Sequence, residues 1–191
     1  MPVPSLNPVS ATLRGAAGDN VRLAPEHFRK AVACFATGIA IVTCRDETSG
    51  QVHGMTVNSF TSISLDPASI LISIKAGRML RLISRENHFG ISVLSAAQQP
   101  HSAHFSGRPG EFAPEFAVRH GAPTLKECLA WFECQVTSRI QVHDHTLFVA
   151  DVIHCNSGDG LPLLFYSSCY RALEQEAHQA DTETNKNEVR G

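Results

Sequence analysis

The sequence predicts a mainly β domain in which antiparallel strands form a closed sheet beside a few short helices. Six or seven strand-length segments succeed one another, separated by turn residues or short helical segments. One of them, residues 131–142, alternates apolar and polar side chains as a strand with one buried face does. The chain contains no GxGxxG motif and no alternation of strands with long helices, which disfavours a Rossmann domain.

The first predicted element is a helix that begins near Pro25 and ends near Gly38. Pro25 suits the first helical turn, and Gly38 suits the left-handed residue at which many helices end. Four apolar side chains recur between them at helical spacing and form one face: Phe28, Ala31, Val32 and Phe35.

Strands and turns make up most of the chain after Gly38. Residues 39–44 are predicted to form a strand, and the turn residues 46–50 fold the next segment, 52–65, back against it as a single antiparallel partner. Later strands are expected over 70–74, 89–94, 131–142, 147–153 and 163–166. The remaining elements are two short helices and a long loop, over 79–83, 100–105 and 107–123.

The predicted strand at 131–142 assigns its side chains to two faces. The apolar face carries Phe132, Cys134, Val136, Ile140 and Val142. Glu133 is assigned to the opposite, polar face because successive side chains of a strand alternate.

The two ends of the chain differ in composition from its middle. Residues 1–22 contain three Pro and two Gly without hydrophobic periodicity, and we expect a flexible N-terminal arm there. Residues 174–191 are polar and are expected to form a disordered tail. One domain, residues 23–173, is therefore predicted between them.

Composition argues against several classes of function. A formal net charge of −2 gives no electrostatic footprint for nucleic acid. No apolar run approaches the roughly 20 residues that span a bilayer, and no export signal is recognised, so we expect a cytoplasmic protein without a membrane partner. The six cysteines form no CxxC pair and are interpreted as reduced thiols. His143, His145 and Cys155 are too few for a closed zinc site, so no metal is predicted.

Polar side chains are unusually frequent in residues 52–65. Five hydroxyls and one amide occur there: Thr56, Ser59, Thr61, Ser62, Ser64 and Asn58. An edge strand facing water explains one or two of them. Five hydroxyls around Phe60 indicate instead a wall that hydrogen-bonds a polar ligand.

The chain shows no set of side chains that would catalyse a reaction by itself. It has no GxSxG, HExxH or P-loop motif, and nothing distinguishes one thiol as a nucleophile. Four bases do cluster, and they form either a solvated helix face or the site of a small anionic ligand: Lys75, Arg78, Arg81 and Arg85. A hydroxyl-rich wall beside a basic segment suits a flat, phosphate-bearing cofactor that carries the chemistry itself.

Five segments, taken in order, resemble one protein family. They are FRKAVACFATGIAIVTC (28–44), GMTVNSFTSISLDP (54–67), FGISVLSAAQQPHSAHFSG (89–107), HTLFVADV (145–152) and PLLFYSSCYRAL (162–173). Over about residues 25–173 the chain resembles the flavin reductase-like domain family, the short-chain reductase component of two-component flavin-dependent monooxygenases. The resemblance implies a six-stranded antiparallel FMN-binding split barrel with short flanking α-helices, forming a homodimer with flavin near the interface.

The resemblance also implies which residues hold the cofactors. Those along the flavin ring are Val52, His53, Gly54, Met55, Thr56, Asn58 and Ser59. Those at the ribityl chain and phosphate are Ser73, Ile74, Lys75, Arg78 and Met79. A further flavin-contacting pair is His104 and Phe105. The nicotinamide is contacted by Phe165, Tyr166, Ser167 and Ser168, and the catalytic position beside flavin and nicotinamide is His145.

Simpler structural roles stand beside these assignments. They are a core position for Phe105, a helix surface for His104, a hairpin cap for His145 and a solvated charge for Arg78. Ser168 and Ala150 stand where relatives often have Gly, and a lost Gly can forbid a positive φ. We expect Ser168 to affect the nicotinamide contact and Ala150 to affect only packing.

The reaction that the resemblance implies is hydride transfer from NADH or NADPH to FMN or FAD, an EC 1.5.1-type oxidoreductase activity. It needs stacked rings about 3–3.5 Å apart, which is positioning rather than acid–base catalysis. The reduced flavin then diffuses to a partner monooxygenase, so its affinity should be micromolar. Two other functions remain open: a non-catalytic flavin-binding or flavin-sensing module on the same barrel, and an oxidase of the pyridoxamine-phosphate type.

Overall fold

The computed structural model describes residues 23–173, so the predictions made for residues 1–22 and 174–191 lie outside the described residues. The helices are α1 (Pro25–Ala33), α2 (Arg78–Glu86) and α3 (Gln99–Phe105), the last preceded by a 3₁₀ turn at Ala96–Gln98. The strands are β1 (Thr37–Gly38), β2 (Ala40–Arg45), β3 (Val52–Val57), β4 (Thr61–Leu65), β5 (Ala68–Lys75), β6 (His88–Val93), β7 (Phe116–Val118), β8 (Pro123–Leu125), β9 (Ala130–Val142), β10 (His145–Ser157), β11 (Leu163–Tyr166) and β12 (Cys169–Ala172). None of the described helices is long and apolar enough to cross a membrane.

Seven strands form the main sheet in the order β3-β2-β6-β9-β10-β5-β4, and every neighbouring pair is antiparallel. Its two end strands, β3 and β4, are consecutive in the chain and are joined only by residues 58–60. The sheet therefore curls until its edges meet, as a barrel with one open seam. At the seam the Ser59 hydroxyl accepts a hydrogen bond from the Ser73 N–H and donates one to the Ser73 carbonyl, both at 3.1 Å. The mainly β, antiparallel prediction is confirmed, with seven strands in this sheet rather than six.

Residues 52–65 do not form the single strand that the sequence predicts. β3 pairs with β2 at one edge of the main sheet, whereas β4 pairs with β5 at the other edge. A straight strand would leave β5 with an unpaired edge, which folded proteins avoid. The break at residues 58–60 lets one segment close both edges.

Two apolar cores lie on the two sides of β2. Ile39 and Ile41 belong to an outer cluster with Leu94, Leu125 and Leu163. The barrel interior is filled by Val42, Ile72, Phe89, Ile91, Cys134 and Phe148, together with Met79, Leu82 and Ile83 of α2. Because β2 is covered on both faces, residues 40–44 are all buried, and Thr43 is the one polar side chain among them.

The face assignment along β9 is correct at Phe132 and Cys134 and wrong at three other positions. Ile140 and Val142 are 49 % and 42 % exposed, and β6 pairs with β9 only over residues 130–135, so this end of β9 has no strand on its other side among the described residues. Glu133 is only 3 % exposed. Part of the segment predicted as a long loop covers it: the Ala122 N–H donates to Glu133 Oε1 at 3.1 Å, and His88 Nε2 lies 2.9 Å from the same oxygen.

The first helix forms but does not bury its apolar face. It ends at Ala33 rather than near Gly38, which lies in β1 instead. Phe28 and Val32 are 60 % and 51 % exposed, and Phe35 just beyond the helix is 75 % exposed. The helix that the apolar spacing predicts is therefore confirmed, but nothing within residues 23–173 packs against its apolar face.

Candidate functional site

The seam brings two of the predicted groups of residues together. On one side lie β3 and the two residues after it, Asn58 and Ser59; on the other lie the end of β5, with Ser73, and the start of α2, with Arg78. The hydrogen bonds between Ser59 and Ser73 join the two sides. At the other end of β3, burial and then the positive charge of Arg78 lower the pKa of His53. The residues implied for the flavin ring and for its phosphate thus lie on the two sides of the seam, and the surface that runs between them is termed the groove.

Helix α3 lies against the outward face of β3. The Thr56 hydroxyl donates to the Ser102 carbonyl at 2.8 Å. A Cβ on Gly54 would overlap the ring of Phe105, so only glycine permits this approach. Phe105 also packs against the outer apolar cluster, which fits its alternative role as a core residue.

A cleft opens where β3 ends, beneath α3 and the β11–β12 hairpin. It has a volume of about 220 Å³ and is lined by Thr56, Asn58, Ser106, Arg108, Phe165 and Tyr170, among others. A second cavity of about 310 Å³ shares Ile39 and Asn58 with it and is lined by Phe35 and Phe60. Together they reach the range of roughly 300–1,000 Å³ typical of ligand pockets.

Ser102 ties together the elements around the cleft. Its carbonyl accepts hydrogen bonds from the Thr56 and Ser106 hydroxyls, and its own hydroxyl lies 2.9 Å from the Tyr170 hydroxyl. Because Ser102 is fully buried, these bonds connect β3, α3 and β12 away from water. Ser102, Ser106, Arg108 and Tyr170 are not predicted from the sequence, since no spacing pattern links α3 to the last hairpin.

A charged group lies at the end of β5. His145 of β10 is the register partner of Lys75, and Asp144 joins the two. Asp144 Oδ1 is 2.8 Å from His145 Nδ1, and Asp144 Oδ2 is 3.5 Å from Lys75 Nζ. The hydrogen bond from His145, followed by the charges of His145 and Lys75, lowers the pKa of Asp144. His145 therefore lies beside the predicted phosphate-binding segment and is not among the residues that line the cleft.

Several predicted side chains point away from the groove. Met55, Ile74 and Met79 pack in or against the barrel core, so only their backbone can meet a ligand. Val52 and His53 begin β3, and His53 Nε2 is buried without a hydrogen-bond partner among the described residues. Arg78 remains exposed at the N-terminus of α2.

His104 packs among aromatic rings rather than in the cleft. Its ring centroid lies 4.9 Å from that of Phe105 and 5.4 Å from that of Phe112. Its Nδ1 is buried and finds no partner within residues 23–173. His104 is partly buried, so the helix-surface alternative is wrong, whereas its predicted flavin contact stays a prediction.

The predicted nicotinamide residues divide into two groups. Phe165 lines the cleft, whereas Tyr166 is exposed. Ser167 and Ser168 form the turn between β11 and β12 with φ of 51° and 60°, the left-handed pair of a type I′ turn. The Ser167 N–H donates to the Ala33 carbonyl at 2.9 Å, which ties this turn to the end of α1. Ser168 thus adopts a conformation that glycine adopts more easily.

Two of the six thiols are buried in the barrel core. Burial raises the pKa of both Cys44 and Cys134 to about 12, so neither thiol ionises near neutral pH. Within residues 23–173, no group of three or more His, Cys, Asp or Glu side chains is placed to hold a metal ion. A larger cavity of about 560 Å³ lies beside α3 near Gln98 and His101, and it contains none of the predicted residues.

Comparison with known proteins identifies the family. The model of the family described as "Flavin reductase like domain" matches residues 32–174. The chain belongs to this flavin reductase family. The match spans β1 to β12, so it includes the seam, the cleft and the charged group.

Individual members of the flavin reductase family are also similar to the chain. The NADH-dependent flavin reductase StyB of Pseudomonas fluorescens is 51 % identical over 148 residues, covering 75 % of this chain and 86 % of StyB. An NADH-dependent flavin reductase of a Rhodococcus species is 43 % identical over 157 residues, covering 78 % and 87 %. The solved structure of the styrene monooxygenase flavin reductase SMOB from Pseudomonas putida S12 is 50 % identical, covers 78 % of this chain and 98 % of its own, and superposes with a TM-score of 0.74.

The residues at the seam fit a flavin. A flavin is a flat ring with hydrogen-bonding edges, joined through a ribityl chain to a phosphate. The two cavities, which share Asn58, offer apolar surface from Phe35, Phe60 and Phe165 for the ring, and the amide of Asn58 for its polar edge. Arg78 lies at the start of a nine-residue helix, where the backbone N–H groups favour an anion.

Proposed function

We propose that this chain is an NADH-dependent flavin reductase that supplies reduced flavin to a partner monooxygenase. The observation that carries the proposal is the seam itself, where a cleft with a polar wall, Thr56 and Asn58, lies beside β3 and exposed cations stand at both ends of that strand. Among the described residues that line the cleft there is no carboxylate and no histidine. The similar proteins described above as NADH-dependent flavin reductases support it. A bound flavin supplies the redox chemistry, by accepting a hydride, and with it two electrons, from the nicotinamide ring of NADH.

The polar wall of the cleft orients the flavin ring. Thr56 donates its hydroxyl hydrogen to Ser102, so its oxygen remains as an acceptor for a ring N–H. Asn58 is exposed and its amide both donates and accepts. Ser59 is already engaged with Ser73 as donor and acceptor, so we assign it to closing the seam.

The residues around the charged group bind the flavin phosphate and the nicotinamide nucleotide. Arg78 at the start of α2 attracts the flavin phosphate, with Lys75 beside it. Asp144 accepts the hydrogen bond of His145 Nδ1, which leaves Nε2 as the atom that can face a ligand. His145 acts here by holding the nicotinamide nucleotide, since hydride transfer needs no proton from it.

The cofactor preferences follow from how open the site is. Both cavities open to solvent, so an FAD adenine can extend outside and we expect FMN and FAD both to be accepted. NADH is the proposed donor because the similar proteins StyB and the Rhodococcus reductase are NADH-dependent. Loose, micromolar binding suits a flavin that must leave after reduction. We also infer a cytoplasmic location, since Cys34, Cys155 and Cys169 are exposed free thiols that suit a reducing compartment.

A homodimer is part of the proposal. No residue of α1 is buried, and its apolar face presents Phe28 and Val32 beside Phe35. Phe35 also lines the 310 Å³ cavity that adjoins the cleft. A second copy seated on this face would cover the apolar side chains and close the cavity from outside. Analytical ultracentrifugation should show a dimer, and Phe28→Ser with Val32→Ser should shift it towards monomer; a wild-type monomer at high concentration would contradict this part.

Steady-state oxidation of NADH tests the proposed function. With FMN, FAD or riboflavin in excess, the absorbance of NADH should fall with multiple turnovers, and dialysis should remove the flavin. Flavin binding without turnover would favour the flavin-sensing module, and oxidation of pyridoxamine phosphate would favour the third function. Absence of both flavin binding and turnover would overturn the proposal.

A further inference from the structure

Arg108 lies at the rim of the cleft, just beyond the end of α3. Its backbone N–H donates to the Ala103 carbonyl at 3.0 Å, which fixes where the side chain begins. The side chain lines the cleft together with Thr56, Asn58 and Ser106. A permanent positive charge therefore stands beside the polar wall assigned to the flavin ring.

The guanidinium of Arg108 is free to bind a ligand. Within residues 23–173, no carboxylate lies within salt-bridge distance of it, and it donates no side-chain hydrogen bond. By contrast, Arg85 pairs with Asp46 and Glu86, and Arg119 donates to the Lys126 carbonyl. A guanidinium presents five N–H donors in a planar fork that matches a phosphate.

Two cations flank the polar wall at opposite ends of β3. Arg78 acts on His53, where β3 begins, and Arg108 adjoins Asn58, just after β3 ends. Five residues of extended strand separate these ends by about 17 Å. The groove therefore offers two separate anion sites with the ring-binding wall between them, which suits two phosphate-bearing ligands whose rings meet in the middle.

We propose that Arg108 is a second phosphate-binding residue of the site, and that it holds a phosphate of the nicotinamide dinucleotide while Arg78 holds that of the flavin. The inference rests on the proposed function. The flavin phosphate is the other source of the same chemistry, so the test measures both ligands.

The test compares Arg108→Gln with Arg81→Gln, a matched control on the exposed side of α2 outside the cleft. Arg108→Gln should raise the KM for NADH about tenfold with little change in kcat, because one charge-assisted hydrogen bond is lost. The same variant should lose much of the dependence of this KM on salt concentration. Arg81→Gln should match the wild type in both measurements.

Fluorescence quenching separates the two phosphate sources. If Arg108 holds the flavin phosphate instead, Arg108→Gln will weaken the binding of FMN about tenfold and leave the binding of riboflavin unchanged. That result still supports a phosphate site at Arg108. Unchanged KM and unchanged FMN binding would overturn the inference, as would equal weakening of FMN and riboflavin, which indicates a structural role. Inorganic pyrophosphate should also compete with NADH in the wild type and lose potency in Arg108→Lys.

Failure of the inference differs from failure of the proposed function. If the wild-type protein binds and reduces flavin and Arg108→Gln behaves identically, only the proposed role of Arg108 is wrong. A wild-type protein that neither binds nor reduces flavin removes the function on which the inference rests.

Discussion

The two ends of the groove are built on different physical principles. At the cleft end, Thr56, Ser102 and Tyr170 form a hydrogen-bonded group around a fully buried serine. At the charged end, Lys75, Asp144 and His145 form ion pairs and hydrogen bonds that remain largely exposed. Buried networks are rigid because partial satisfaction is costly, whereas exposed ion pairs contribute little to stability. One end is therefore suited to positioning a ring, and the other to exchanging water for a phosphate.

Gly54→Ala should produce the largest effect, and at the cleft end. The added Cβ overlaps the Phe105 ring, so α3 must move away from β3 at a cost of about 1–3 kcal/mol in the free energy of unfolding. Chemical denaturation measures this cost, and flavin quenching should show weaker binding. Gly38→Ala is the stability control, because a Cβ there meets no atom within 4 Å. An unchanged Gly54→Ala protein would show that the close contact between β3 and α3 is absent.

The next largest effect is on flavin affinity, and it distinguishes binding of the phosphate by Arg78 from binding of the ring by Thr56. Arg78→Gln should weaken the binding of FMN about tenfold without changing the binding of riboflavin, since only FMN carries the phosphate. Thr56→Val should weaken the binding of FMN and of riboflavin equally, because the Thr56 hydroxyl contacts the ring that both flavins share. Quenching titrations of both flavins measure the difference. Equal effects of the two substitutions on both flavins would contradict the division of labour between the two ends.

A smaller gain in stability is expected from Ser168→Gly at the β11–β12 turn. Ser168 has a φ of 60°, and relieving this left-handed strain outweighs the greater freedom of glycine in the unfolded chain by up to about 1 kcal/mol. Thermal unfolding should show a higher Tm. Ser106→Gly, outside the turn and without a positive φ, should not raise the Tm. A lower Tm for Ser168→Gly would mean that the turn differs from type I′.

The smallest effect concerns acid stability at the charged end. The folded pKa of Asp144 is lowered, chiefly by the hydrogen bond from His145, so its contribution is present above the unfolded pKa near about 4 and is lost as pH falls through the folded value. Asp144→Asn should therefore reduce the loss of stability between about pH 4 and the acid limit, by a small amount because the group is exposed. Unfolding midpoints across this pH range measure it. A larger acid sensitivity in Asp144→Asn would contradict the sign.

Local sequence patterns predicted the type of each helix or strand better than they predicted which strand pairs with it or which side chains it buries. The helical period of α1 and the turn after β2 depend on nearby residues, and both elements form. The partner of 61–65 and the burial of Glu133 depend on segments far away in the chain, and both predictions failed. The same division holds in the site: the run of hydroxyls was visible in the sequence, whereas the tertiary structure divides it, with Thr56 lining the cleft and Ser62 and Ser64 in β4 outside it. Arg108 and Tyr170 reach the cleft only through the packing of α3 and β12.

The sequence alone determined the fold class, the run of hydroxyls over residues 56–64 and the family resemblance, because each depends on the order and chemistry of neighbouring residues. Only the tertiary structure decided where the barrel opens, which wall residues keep a free hydrogen-bonding atom, and that Arg78 and Arg108, which form no salt bridge within residues 23–173, stand at the two ends of β3. These properties arise when a sheet closes on itself and brings its first and last strands together. Sequence spacing carries no record of such long-range contacts, since many pairings satisfy the same local pattern.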